Sequence, residues 1–385
     1  MNLLLRYLLS AWLLVLAGCA GGPAHDAAPA TTPTHPPLLL VSIDGFRADY
    51  LDRGLTPTLA QLAQEGVRAE ALRPAFPSLT FPNHYTLVTG LEPDHHGIVG
   101  NTMADPALGH FKLNDRAATS DGRWWDEGTP LWVSADEQGL RTATMFWPGS
   151  EAEIHGHRPD RWFPYDGKVS ANQRVDQVLA WLDLPPAERP GFLTLYFDDV
   201  DHAGHASGPD SAAVNAALGT VDAALARLRA GLAARGLLDR LNLVIVSDHG
   251  MASVAQGNSV LVDQLIPLDQ VEVVGFGIVA GFNPRPGHDF SAIERQLSAP
   301  QQHMQCWDKA RIPARFHFGL NPRVPQLVCV ADVGWRISTS DYVTRSGAKL
   351  SRGEHGYDNR APEMRALFVA RGPAFRAGLV VPEFA

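Results

Sequence analysis

The chain has 385 residues, 45% of them hydrophobic and 19% charged, with a formal net charge of −9. That composition is ordinary for a folded globular protein and excludes disorder as the default state. The acidic balance excludes a protein that coats long nucleic acid, because such binding draws on Lys and Arg neutralising phosphates; a small anionic substrate stays open, since bound divalent cations can override the overall sign.

Residues 1–19 read as an export signal: Arg6 is the positive n-region and Leu8 to Leu16 a short apolar stretch before small residues. The stretch is too short to span a bilayer. Its end, Leu16-Ala17-Gly18-Cys19, resembles the lipobox of bacterial lipoproteins, which makes Cys19 the expected lipid attachment site and the periplasm, with a membrane anchor, the expected location. An ordinary cleaved signal is the alternative. Residues 20–37 are Ala, Pro, Thr and Gly with no large apolar side chain and are expected to be a disordered tether. The catalytic domain is expected over 38–385.

Leu38 to Ile43 is a continuous apolar run ending in Asp44-Gly45, the pattern of a strand buried on both faces of a parallel sheet. Thr56 to Gly66 predicts a capped helix with Pro at its first turn, and Val67 to Leu72 a strand. Further strands are predicted at Ala143–Trp147, Phe192–Phe197 and Leu241–Ser247, with a long helix over about Pro209 to Arg235. Strands alternating with helices imply an α/β fold, a doubly wound, mostly parallel sheet flanked by helices. Residues 252–350 show few alternating runs and are taken as an inserted subdomain closing one side of the pocket. Cys306 and Cys329 could form a disulfide outside the cytosol or remain a buried free pair.

Ligands in open α/β sheets bind beyond the carboxyl ends of the strands. Three apolar runs end in acids there: Ile43-Asp44-Gly45, Phe197-Asp198-Asp199-Val200-Asp201 and Ser247-Asp248-His249-Gly250. One Asp after one strand is most often a cap or turn residue. Together with His205, four residues after Asp201, and His355 in Glu354-His355-Gly356, they become a metal constellation. Mixed Asp and His donors suit zinc better than magnesium, and two Zn2+ ions are expected. Other histidines, His84 and His96 among them, read as surface or packing residues; His202 is left unassigned.

The run Thr80-Phe81-Pro82-Asn83-His84-Tyr85, with Thr89-Gly90-Leu91, His96-Gly97-Ile98 and Asn101, resembles the nucleotide pyrophosphatase/phosphodiesterase family of the alkaline phosphatase superfamily. Asp44-Gly45-Phe46-Arg47, Trp147-Pro148-Gly149-Ser150, Gly204-His205, Ser247-Asp248-His249-Gly250-Met251 and His355-Gly356-Tyr357-Asp358-Asn359 follow in the family's order over about residues 38 to 373. The resemblance implies an alkaline-phosphatase-like fold. It implies that Asp44, Thr80, Asp248 and His249 bind one zinc and that Asp201, His205 and His355 bind the other. Asp198, Asp199 and Asp358 are then acids near the site rather than ligands. It makes Thr80 the nucleophile, Asn101 a donor to a phosphate oxygen, and Phe81 and Tyr165 the aromatics that stack on a nucleobase. The implied reaction is hydrolysis of nucleotide phosphodiester or pyrophosphate bonds to nucleoside 5'-monophosphates through a nucleotidyl-threonine. The bare catalytic domain resembles the family's bacterial form.

Two kinds of rival share these residues. A phosphomonoesterase or phospholipid-type phosphodiesterase of the same superfamily could use the same metals, although no arginine clamp for a phosphate dianion is apparent and Phe81-Pro82-Asn83 resembles the nucleotide branch. A zinc-binding lipoprotein could use the ligands, but it has no need of the threonine or of an oxyanion donor. Oligomeric state is not assigned.

Overall fold

Strand β1, Leu38–Ile43, lies inside an eight-stranded sheet. The other strands are β2 (Val67–Ala69), β3 (Thr142–Met145), β4 (Arg161–Trp162), β5 (Phe192–Phe197), β6 (Asn242–Val246), β7 (Phe368–Arg371) and β8 (Leu379–Val381). Their order is β8-β2-β7-β6-β1-β5-β3-β4. The sheet is mostly parallel; β7 runs antiparallel to both β2 and β6. The computed structural model describes residues 35–385, so the expected signal, Cys19 and most of the expected tether lie outside the described residues.

The apolar run of β1 is explained by its two neighbours. It pairs in parallel with β5 from Leu38↔Phe192 to Ile43↔Phe197 and with β6 from Leu38↔Asn242 to Ser42↔Val246. Leu39, Val41 and Ile43 enter one core and Leu40 the other. Each fully buried aliphatic side chain of this kind contributes about 1.5–3 kcal/mol.

Five helices frame the site: α1 (Pro57–Gln64), α2 (Thr80–Thr89), α3 (Ala171–Leu182), α4 (Asp199–Ser207) and α5 (Ala212–Ala234). Helices α1, α3 and α5 cover one sheet face, through residues such as Leu59, Val175 and Leu225. Helix α2 covers the other with Tyr85 and Val88, packed with Trp124, Trp125 and Trp132.

Residues 252–350 hold a four-stranded antiparallel sheet of Val271–Gly275, Val279–Pro284, Met304–Asp308 and Leu327–Ala331. It has a core of its own around Phe282, Leu297 and Leu327. Cys306 and Cys329 face each other across two of these strands and are joined as a disulfide.

Candidate active site

Because β5, β1 and β6 are adjacent and parallel, their carboxyl ends deliver three acids to one place. Asp44 follows β1, Asp248 lies two residues past β6, and Asp201 sits in the first turn of α4, which starts directly beyond β5. Gly45 permits the crowding: its φ is +67°, and a Cβ there would stand 3.0 Å from the Asp201 Cα. Asp44, Asp201 and Asp248 are all buried. One oxygen of each, Asp44 Oδ1, Asp201 Oδ1 and Asp248 Oδ2, has no hydrogen-bond partner. A buried polar atom left unpaired is costly, so three converging carboxylate oxygens call for a cation.

The imidazoles complete the set. His249 Nδ1 donates to the Gly250 carbonyl at 2.9 Å, His355 Nδ1 to the Ser78 carbonyl at 2.9 Å, and His205 Nδ1 to the Gly353 carbonyl at 2.7 Å. A carbonyl only accepts, so each Nδ1 carries a proton and Nε2 is the ring nitrogen left to meet a metal. Those nitrogens face the free oxygens: His249 Nε2 is 3.4 Å from Asp44 Oδ1 and 3.0 Å from Asp248 Oδ2. His205 Nε2 and His355 Nε2 are 3.5 and 3.6 Å from Asp201 Oδ1. Asp201 and His205 share a face of α4 by their i,i+4 spacing. The His249 and His355 rings stack with centroids 3.5 Å apart, placing the two halves side by side.

The electrostatics fit the same cation. Burial, then the charges of Asp248 and Asp201, pushes the Asp44 carboxyl well above the ordinary range. Burial with the neighbouring His249 and His205 holds His355 well below its usual value and therefore neutral. For Asp248, burial is outweighed by His249 and His84, and its carboxyl falls well below the usual range.

His84, read from the sequence as surface or packing, is fully buried at this centre. It stands with Asp44 and Asp248 in a geometry compatible with a metal. Its nitrogens are taken, however: Nδ1 donates to the Thr80 carbonyl at 2.8 Å and Nε2 pairs with the Ser42 hydroxyl at 2.9 Å. With Nδ1 also 3.3 Å from Asp248 Oδ2, His84 ties the helix that begins at Thr80 to Asp248. Its position four residues after Thr80 was the available signal, meaningful only once α2 is a helix. Tyr196 was also missed. Inside the apolar run of β5 it reads as packing, yet its hydroxyl donates to Asp44 Oδ2 at 2.6 Å.

Thr80 is the first residue of α2, and its hydroxyl lies 3.3 Å from His249 Nε2. It opens onto a cleft of about 490 Å³ shared with Asn101, Phe81, Tyr165 and Asp201. The Phe81 N–H donates to Asn101 Oδ1 at 2.9 Å, which fixes that amide and leaves its NH2 as a donor on the cleft it shares with Thr80. Phe81 packs against Phe111 and Trp125 at 5.8 and 6.0 Å, and Tyr165 against Phe146 at 5.3 Å. The structure thus brings all the predicted described site residues to one centre and its cleft. Asp198 lies beside the cleft, paired with Arg174, whereas Asp358 pairs with Arg315. The expected closure by residues 252–350 is not seen; the described walls come from segments such as Asn101 to Thr119 and Phe146 to Glu151. Arg116 is the one arginine among the described lining residues.

The family model described as type I phosphodiesterase / nucleotide pyrophosphatase matches residues 38–358. A fission-yeast protein described as an uncharacterized pyrophosphatase/phosphodiesterase is 39% identical over 348 residues, covering 88% of this chain and 72% of the relative. Mouse ectonucleotide pyrophosphatase/phosphodiesterase family member 1 is 38% identical over 361 residues, 91% of this chain; the chain spans only 39% of that relative's length. Among solved structures, an inactive threonine-to-alanine form of murine ectonucleotide pyrophosphatase/phosphodiesterase 5 in complex with AMP is similar at a TM-score of 0.85 and 33% identity, with 91% of each chain covered.

Proposed function

The chain belongs to the type I phosphodiesterase / nucleotide pyrophosphatase family, and from that premise we propose that it is a two-zinc enzyme releasing nucleoside 5'-monophosphates from nucleotide phosphodiesters or pyrophosphates. The observation that carries the reading is the set of three buried, unpaired carboxylate oxygens facing three imidazole Nε2 atoms beside a threonine. Asp44, Thr80, Asp248 and His249 would hold one zinc, and Asp201, His205 and His355 the other. Bound there, zinc supplies the charge that lowers the pKa of a coordinated hydroxyl and offsets negative charge on phosphate oxygens.

The remaining chemistry falls to the chain. Thr80 Oγ1, its proton lost to solvent, attacks phosphorus; the new O–P bond forms as the bond to the leaving oxygen breaks, giving a nucleotidyl-threonine. The Asn101 NH2, held by the Phe81 N–H on its other end, donates to a non-bridging oxygen as charge builds there. Water then attacks the same phosphorus, Thr80 regains a proton, and the monophosphate departs. Phe81 and Tyr165 present flat faces for a nucleobase, a contact worth about 1–3 kcal/mol per base. The murine relative inactive after a threonine-to-alanine change and bound to AMP supports both the nucleophile and the substrate class.

The proposal includes the bacterial form of the family, export to the periplasm and lipid anchoring to the membrane at Cys19. Its support is the sequence pattern of residues 1–19. No described helix is long and apolar enough to cross a membrane.

Metal content and hydrolysis of p-nitrophenyl thymidine 5'-monophosphate against p-nitrophenyl phosphate test the reading together. About two zincs and a strong preference for the diester are expected. Preference for the monoester would make the protein a phosphatase and sink the roles given to Phe81 and Tyr165.

A further inference from the structure

Tyr165 lies in an irregular stretch after β4, where neither helix nor strand holds the backbone. All three of its polar groups are nonetheless held by charged side chains. Its N–H donates to Glu151 Oε1 at 2.7 Å, Arg116 Nη2 donates to its carbonyl at 2.8 Å, and its hydroxyl donates to Asp198 Oδ2. Arg116 and Glu151 stand 3.5 Å apart, so the backbone grips also meet each other.

The hydroxyl grip is anchored deeper. Asp198 Oδ1 is 2.7 Å from Arg174 Nη1, and the Arg174 side chain is only 2% exposed. The same Nη1 donates to the Tyr196 carbonyl at 2.9 Å, and the guanidinium lies 5.1 Å from the Phe146 ring centroid and 5.9 Å from that of Tyr165. A buried charge in such a place is kept by its partners. Burial pushes Asp198 up, but the Arg174 charge and the Tyr165 hydroxyl outweigh it, so the carboxylate stays ionised and keeps accepting.

Loop side chains ordinarily sample several rotamers and lose affinity when a ligand freezes them; a ring already fixed avoids that loss. We propose that Glu151, Arg116 and the Asp198–Arg174 pair are positioning residues that hold the Tyr165 ring as a preset nucleobase platform. Discrimination between nucleotide diesters and diesters without a base is therefore set by a charged clamp outside the metal centre. The proposal rests on Tyr165 being a base contact.

The test is a double-mutant cycle of Asp198→Asn and Tyr165→Phe in the zinc-loaded protein. It is read as KM and kcat on p-nitrophenyl thymidine 5'-monophosphate, alongside hydrolysis of bis(p-nitrophenyl) phosphate. Asp198→Asn should raise KM for the nucleotide diester by about tenfold, leave kcat and base-free hydrolysis unchanged, and add nothing in the Tyr165→Phe background. Equal losses on both diesters, or a full further loss in the Tyr165→Phe background, would overturn the proposal. Because Asp198→Asn weakens a buried pair and could disturb folding, Glu151→Ala provides an independent arm: the same selective rise in KM is expected, and an unchanged KM overturns the clamp. If the unaltered protein shows no preference for the nucleotide diester, the base-contact reading of Tyr165 fails instead.

Discussion

The Tyr196 hydroxyl donates to Asp44 Oδ2 at 2.6 Å while Asp44 Oδ1 has no hydrogen-bond partner. One oxygen is thus anchored so that the other can face a cation. Burial and the Asp44 charge push the Tyr196 hydroxyl well above its usual range, so it keeps its proton and donates at neutral pH. Tyr196→Phe is expected to weaken zinc binding by about 10–100-fold, measured by chelator competition. Unchanged affinity would reduce the contact to packing.

Thr80→Ala separates chemistry from binding. The hydroxyl is 3.3 Å from His249 Nε2, and the carboxylates and imidazoles around it keep their own supports. Turnover should fall by at least about 10³ while zinc content and AMP binding by calorimetry persist. Turnover within a few-fold of the parent would end the role of Thr80 as nucleophile.

Asn101→Ala removes the amide that the Phe81 N–H orients. The expected cost is about 10²–10³ in kcat with KM little changed, because the donor acts on charge that develops during reaction. A rise confined to KM would show that Asn101 only binds the ground state.

Acid sensitivity should carry a contribution from the Asp198–Arg174 pair. The Asp198 carboxyl lies below its ordinary value in the folded protein, since Arg174 and Tyr165 outweigh burial. A depressed folded pKa stabilises fully above the unfolded value of about 3.9 and is lost as pH falls through the folded value. Melting temperatures from pH 6 to pH 3 should therefore drop more steeply for the parent protein than for Asp198→Asn. Parallel curves would mean the pair contributes no linkage.

The parts of the site legible in the sequence are those written as local pattern. The apolar runs Leu38–Ile43 and Phe192–Phe197 appear as strands with the same bounds, because a strand buried on both faces has no other way to be spelled. Asp44, Asp201 and Asp248 could be picked out because acids beyond such runs fall at the strands' carboxyl ends. His84 and Tyr196 escaped because their work depends on partners far along the chain, Asp248 and Asp44, and on which face of helix or strand they occupy. Strand β7 reverses direction in the sheet, and nothing local in Phe368–Arg371 announces an antiparallel neighbour. Asp198 was recognised as an acid near the site, but Arg174, its partner from α3, carries no mark in the sequence of being buried.

The residues gathered at this centre are drawn from almost the whole described chain, from Asp44 at the first strand to His355 just ahead of the last ones. One half of the centre draws on Asp44, Thr80, Asp248 and His249, and the other needs His355 and the Gly353 carbonyl that orients His205. A polypeptide broken off before residue 355 lacks that histidine and also β7, the strand that pairs with β6 just ahead of Asp248 and His249. On the proposed two-zinc reading, the metal held per chain becomes a measure of completed synthesis, separating whole molecules from abortive ones before any substrate is offered.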